Sequence, residues 1–116
     1  MSIQWTETAK RLLKKLPKDV QRGLLEKADL LYECHDPRAV HKPLVGPLKN
    51  CYRLTFGRYR AVYTVEEDEL ATGDVLRHIR VWFIAAGIRK EQSRHDVYEV
   101  ARKIVEMGVI DLGGAA

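Results

Sequence analysis

Arginine is the residue that stands out for chemistry in this chain of 116 residues. Arg53, Arg58 and Arg60 lie within eight positions, and Arg89 and Lys90 follow a long apolar run. The guanidinium fork matches two oxygens of a phosphate at once and keeps its proton, so such a set is suited to hold phosphate. His95 and Tyr98 follow closely. An imidazole titrates near neutral pH and a phenol can stack or carry a proton, so both add options that arginine lacks. Whether these residues meet depends on the elements that carry them.

From Tyr52 the apolar pattern has a period of two. Tyr52, Leu54 and Phe56 alternate with Arg53 and Thr55; after Gly57-Arg58, Tyr59, Ala61 and Tyr63 alternate with Arg60, Val62 and Thr64. Two such runs around a Gly-x pair predict a β-hairpin with a two-residue loop. That loop pairs Phe56 with Tyr59, Thr55 with Arg60, Leu54 with Ala61 and Arg53 with Val62. Paired residues share a face. One face is then Tyr52, Leu54, Phe56, Tyr59, Ala61 and Tyr63, which must be the core side. The other carries Arg53, Thr55, Arg60 and Val62 and is expected to face solvent. Val75 to Ala86 reads as the next strand, running back beside its predecessor. Its end, at Gly87-Ile88-Arg89-Lys90, returns to the edge that carries Gly57-Arg58, while the acidic turn expected from Glu66 to Asp74 lies at the opposite edge. Strand topology alone therefore lets Arg53, Arg58, Arg60, Arg89 and Lys90 converge, away from Glu66, Glu67, Asp68 and Glu69.

Helical periodicity flanks this sheet. Thr6 reads as an N-cap, and Ala9, Leu12, Leu13 and Leu16 form one apolar face. Pro17 can open a second helix, with Val20, Leu24, Ala28 and Leu31 inward and Asp36-Pro37 ending it. The two are expected to form a helical hairpin. Gly23 inside the second helix costs roughly 1 kcal/mol relative to alanine. Ser2 to Trp5 reads as a short opening strand. A final helix is expected from Asp96, with Val97, Val100, Ala101, Ile104 and Val105 inward and Gly108 at its end. The tail Val109-Ile110-Asp111-Leu112 could pack back on the domain or lie loose.

Composition sets limits. The length suits one domain spanning 1–116. The net charge of +4 agrees with an anionic partner. Cys34 and Cys51 lie in no metal spacing and suit a reducing compartment as buried free thiols. The N-terminus reads as no signal peptide, and no apolar run is long enough to cross a bilayer.

Several segments resemble the RelE/ParE superfamily of toxins from type II toxin–antitoxin systems. Leu44-Val45-Gly46-Pro47-Leu48-Lys49-Asn50-Cys51-Tyr52-Arg53-Leu54 is similar to the RelE-family segment that leads into the second strand. Gly57-Arg58-Tyr59-Arg60-Ala61-Val62-Tyr63 is similar to its "G-x-Y-R-x-x-Y" hairpin. Val81 to Gly87 with Arg89 resembles its last apolar strand and the following basic residue, and Asp96-Val97-Tyr98 its "x-V-Y". The resemblance runs from Trp5 to about Ile104. It implies an α+β fold: an N-terminal helical hairpin packed on a small antiparallel sheet, with a C-terminal helix. It also implies a cytoplasmic, ribosome-dependent mRNA endoribonuclease that needs no metal or cofactor. Its partners would be the ribosome, mRNA and a cognate antitoxin, with a toxin–antitoxin heterotetramer as one assembly and no membrane.

By the same resemblance, Arg53, Arg60, Arg89 and Tyr98 fall on positions that RNA-cleaving members use. Arg58, Lys90, His95 and Lys49 would contact RNA. Arg53 stands where lysine is common in the family, Thr55 where some members carry a second basic residue. The stretch between Gly87 and Tyr98 is longer than in the relative compared. Such cleavage needs a base for the 2′-hydroxyl, cations for the phosphate and an acid for the leaving 5′-oxygen. Arginine fills the second role, so a base would have to be Lys90, His95 or Tyr98.

Plainer readings stand beside these. Arg53 and Arg60 can be solvated strand residues, Arg89 and Lys90 a soluble loop, and Tyr98 part of the core. Lys10, Arg11, Lys14, Lys15 and Lys18 form a solvated helix face that could also meet RNA phosphate. Two further functions share the expected fold: a ParE-like binder that poisons DNA gyrase without cutting, and an attenuated member that only binds its antitoxin.

Overall fold

A computed structural model describes residues 1–69 and 77–108. The expected order of elements is present. Strand β1 (Ser2–Trp5) leads into helices α1 (Glu7–Lys14) and α2 (Lys18–Leu30), and a 3₁₀ turn covers Leu31–Glu33. A short helix α3 (Pro37–Val40) and a second 3₁₀ turn (Gly46–Leu48) follow. Strands β2 (Cys51–Phe56), β3 (Tyr59–Glu69) and β4 (Arg77–Ile88) come next, then helix α4 (Val97–Glu106). No helix among the described residues is long and apolar enough to cross a membrane.

The hairpin register matches the pattern residue for residue: Phe56 pairs with Tyr59, Thr55 with Arg60, Leu54 with Ala61 and Arg53 with Val62. Gly57 takes φ +58°, which the first loop position of a type II′ turn requires and L side chains resist. The sheet order is β1-β4-β3-β2. It is mixed rather than antiparallel throughout, because β1 pairs parallel with β4, Ile3 opposite Val81. The α1 crossover gives the chain room to return in the same direction.

Three other expectations change. First, α1 packs on β4 and α2 on β2, so each helix is fastened to the sheet more than to its neighbour. Second, α2 ends at Leu30, and Asp36 instead caps α3, accepting from the Arg38 N–H at 2.9 Å. Third, Glu66 to Glu69 belong to β3, not to a turn, and Glu66 pairs with Arg80. The remainder of the acidic turn, Val75, and the Val109–Leu112 tail lie outside the described residues.

Both faces of the sheet are covered. On one, Ala9, Leu13, Val20, Leu24, Ala28 and Leu31 of the helical side meet Leu54, Ala61, Tyr63, Ile79, Val81, Phe83 and Ala86. Trp5 stacks on Phe83 with ring centroids 4.2 Å apart, and Tyr63 sits 5.2 Å from Phe83. Gly23 has its reason here: a Cβ at that position would lie 2.3 Å from the Phe56 ring. The glycine that weakens α2 lets it close on the hairpin tip.

The other face was expected to be solvated and is so only around Arg53 and Thr55. Val62, Ile84, Ala85, Leu48 and Cys51 are buried against Val97 and Ala101 of α4. Hence Val62 is fully buried while its strand neighbour Arg60 is half-buried, at the margin of the cover. A bulge in β4 makes this arrangement possible. Val62 pairs with Ala85 but Tyr63 pairs with Phe83, which leaves Ile84 as an extra residue. Before the bulge, odd residues 79, 81 and 83 face α1 and α2; after it, Ala86 does. The alternation is inverted, as one inserted residue must do.

Candidate functional site

The bulge sets where Arg89 goes. With unbroken alternation, Gly87 and Arg89 would face α1 and α2. With the inversion, Gly87 turns to α4, where a Cβ on it would stand 3.5 Å from that of Val97. Arg60 is paired with Gly87 on β4 and with Thr55 on β2. The Arg89 N–H donates to the Arg58 carbonyl at 2.6 Å, which joins the two basic segments at one sheet edge. The backbone therefore brings Arg58, Arg60, Arg89 and Lys90 to the Gly57 end of the sheet, with Glu66 and Glu67 far along β3.

Asp96 organises the far side of this edge. It is the N-cap of α4 and 2% exposed. Its Oδ2 accepts from the Tyr98 N–H at 3.1 Å and forms an ion pair with Arg89 Nη1 at 2.6 Å; its Oδ1 accepts from the Lys90 N–H at 2.5 Å. Burial alone would raise this carboxyl, but the hydrogen bonds from Arg89, Lys90 and Tyr98 outweigh it and hold Asp96 below its ordinary value of 3.8. The same bond raises Arg89 and keeps it cationic. Arg89 also lies over the Tyr98 ring, 4.6 Å from its centroid, a cation–π distance. One buried carboxylate thus holds the cation directly and, through the Tyr98 N–H, the backbone that carries the aromatic ring.

A cavity of about 340 Å³ opens beside this pair. Arg53, Arg89 and Tyr98 line it together with Pro43, Leu44, Val45 and Leu48. Cations on one side and apolar groups on the other suit a flat, partly apolar ligand that bears a phosphate. Leu44 is held there by its N–H bond to the Cys51 carbonyl at 2.8 Å.

The remaining sequence candidates are distributed as follows. Arg60 shares the face but is not in the wall of the Arg53–Arg89 cavity; its Nη1 donates to the carbonyls of Gly57 at 2.8 Å and Tyr59 at 2.9 Å. Arg58 and Lys90 are exposed at the edge. His95 is exposed, its N–H donating to Ser93 Oγ at 3.1 Å. Lys49 is exposed after the second 3₁₀ turn, next to Leu48 but not in the cavity wall. Of the three candidate bases, only Tyr98 reaches the cavity.

Sequence reading placed the start of the last helix at Asp96 and missed that residue as the clasp on Arg89. The signal was present: a carboxylate two residues before Tyr98, in a stretch otherwise rich in cations. The apolar wall from Pro43 to Leu48 had no such signal, since its residues read as loop.

Cys34 and Cys51 are both free thiols. Cys51 is buried as expected, and burial pushes its thiol up; Cys34 is only half-buried, on the loop beyond α2. His41 is not a plain surface residue: its Nδ1 shares a 2.5 Å hydrogen bond with the hydroxyl of buried Tyr63, whose own titration burial drives upward. Among the described residues no group of His, Cys, Asp and Glu is placed to hold a metal ion.

Comparison with known proteins agrees with this architecture. Residues 3–82 match the family model for the ParE toxin of the type II toxin–antitoxin system parDE. The matched span ends before Arg89, Asp96 and Tyr98. No curated protein matches the sequence. Among solved structures, a chain of the toxin–antitoxin complex RelBE2 from Mycobacterium tuberculosis is 31% identical with a TM-score of 0.57. The match covers 76% of this chain and 96% of that one. With both the sequence family and the fold in agreement, the chain belongs to the ParE toxin family, within the RelE/ParE superfamily of type II toxin–antitoxin toxins.

Proposed function

We propose that this toxin acts in the cytoplasm as a metal-independent endoribonuclease, cutting mRNA on the ribosome until an antitoxin neutralises it. The observation that supports this reading most is the shared cavity of Arg53, Arg89 and Tyr98, with Arg60 on the same face. In such a reaction the 2′-oxygen attacks phosphorus and the 5′-oxygen leaves. A proton is lost from the first and gained by the second. Arg53 and Arg89 would take the charge on the phosphate. Tyr98 is the group in reach that can stack on a base or move a proton. Lys90 and His95 stand outside the cavity and would at most contact the RNA backbone, as would Lys49 and Arg58. A toxin–antitoxin complex as a structural relative supports an antitoxin as the protein partner.

A second reading has its own support. The family model is that of a ParE toxin and ends before the Arg89–Tyr98 pair. A gyrase-directed binder would need the fold and not the cavity. The deciding experiment induces the chain in growing bacteria and maps new mRNA 5′ ends, beside Arg53→Ala and Arg60→Ala. New ends inside translated codons, lost in Arg53→Ala, are expected. Growth arrest without new ends would move the target to gyrase. Continued growth would identify an attenuated member that only binds its antitoxin.

A further inference from the structure

A second cavity, about 490 Å³, adjoins the same Arg89–Tyr98 pair. Arg89 and Tyr98 are the residues it shares with the first; Gln92, Ser93, Arg94, Asp96 and Glu99 complete its wall. Both volumes fall in the range of about 300–1,000 Å³ usual for ligand clefts. The pair is therefore a wall common to both spaces.

The charges around this second space are unequally committed. Asp96 is neutralised by Arg89, and Glu99 is held by Arg102 at 2.8 Å. Arg94 has no carboxylate partner among the described residues; its Nε lies 3.3 Å from His95 Nε2. Gln92 and Arg94 are exposed. The loop that carries them is nonetheless tightly folded. Gln92 sits at φ +61°, a conformation that non-glycine residues seldom adopt. The turn is closed by Ser93 N–H to the Lys90 carbonyl at 3.2 Å and Asp96 N–H to the Ser93 carbonyl at 3.1 Å.

We infer that this second cavity is a subsite for an adjoining nucleotide of single-stranded RNA, with Arg94 on its phosphate and Gln92 and Ser93 toward its sugar. The inference rests on the RNA reading above and extends it from one nucleotide to at least two. The two nucleotides share the Arg89–Tyr98 pair. Arg89 gives Nη1 to Asp96; its Nη2 lies 3.7 Å from the exposed Glu91 Oε1, beyond hydrogen-bond reach, so a linking phosphate can displace that looser partner. A flat cation–aromatic wall with an uncommitted arginine beside it suits the alternation of base and phosphate in a polynucleotide. An amphipathic peptide would want an apolar wall, which the polar lining of this cavity does not offer.

The test measures binding of 2′-O-methyl RNA, which cannot be cut, to the purified full chain. Oligonucleotides of one, two, three and four nucleotides are compared by anisotropy. Wild type should gain affinity from one to two or three nucleotides by about tenfold, the order of one charge-assisted contact. Arg94→Ala should abolish that gain and leave the mononucleotide unchanged, Arg94→Lys should restore part of it, and Arg53→Ala should weaken every length. Arg94 is exposed, so the variants should fold, as thermal unfolding will verify. An undiminished gain in Arg94→Ala would overturn the subsite while the RNA reading stands. No binding at any length would overturn both. Weaker capture of the antitoxin by Arg94→Ala with unchanged RNA steps would overturn the subsite and give this cavity to the protein partner.

Discussion

The two faces of the sheet are built to different ends. Against α1 and α2 the sheet presents Tyr63, Phe83, Val81 and Leu54, large side chains without charge. Against α4 it presents smaller ones, Val62, Ile84 and Ala85, and the apolar cover stops short of the hairpin tip. Beyond that margin lie Arg53, Arg60 and Arg89. The first face carries the larger buried cluster, and burial of apolar area dominates folding free energy. The second supplies a seat for charge. A small sheet can serve both because α4 is short and begins only after the basic loop.

The comparison can be broken most strongly from the first face. Phe83→Ala removes a fully buried ring that contacts Trp5 and Tyr63. A loss of about 3–5 kcal/mol is expected in urea unfolding. A loss below 1 kcal/mol would mean that this face does not hold the fold.

On the second face the largest effect should come from Asp96. Asp96→Asn keeps a cap but removes the charge that clasps Arg89, and about 1–3 kcal/mol should be lost at pH 7. The pH dependence has a definite sign. The carboxyl titrates below its ordinary value of 3.8 in the folded chain. Its contribution is therefore present above that value and lost as pH falls through it. The gap between wild type and Asp96→Asn should narrow on acidification below about pH 4. A gap independent of pH would separate Asp96 from the ion pair.

Gly23→Ala tests whether close approach outweighs helix propensity. Alanine should gain up to about 1 kcal/mol in the helix. The Cβ would, however, meet the Phe56 ring at 2.3 Å. A net loss of about 1–2 kcal/mol is expected, since overpacking commonly costs about 1–3; a net gain would show that Phe56 moves freely.

The smallest effect on stability sharpens the contrast. Arg53 is exposed at the cavity rim, so Arg53→Ala should change stability by less than about 0.5 kcal/mol. RNA binding should fall by about tenfold in the same variant, the scale of one lost charge-assisted contact. A variant that loses both equally would assign Arg53 to the fold.

How much of this was legible in the sequence depends on the range of the interactions involved. The hairpin register followed from period-two alternation and a Gly-x pair, both local. Thr6 was readable as a cap and Asp96 as the start of the last helix, and each accepts from the backbone as a cap should, Thr6 from Ala9 at 3.1 Å and Asp96 from Tyr98. The gathering of Arg58, Arg60 and Arg89 at one edge followed from strand direction. The apolar wall of the cavity was not legible. Leu44 and Val45 carry no periodicity, and their place depends on a backbone bond to Cys51 and on the second 3₁₀ turn.

By itself, the sequence determined the order of the main strands and helices, the register of the hairpin, and that the basic and acidic groups part company along β3. Those outcomes depend on backbone propensity and on neighbours a few positions away. Only the tertiary structure decided that Arg89 faces α4. The inversion needs one extra residue, Ile84, in β4 opposite an unbroken β3, and a pairing defect belongs to two strands at once. It also decided that Arg89 is clasped rather than free. That depends on Asp96, seven positions on, being buried at the start of a helix which packs across the strand end. Coupling of this kind is energetic only once the sheet and the helix exist together.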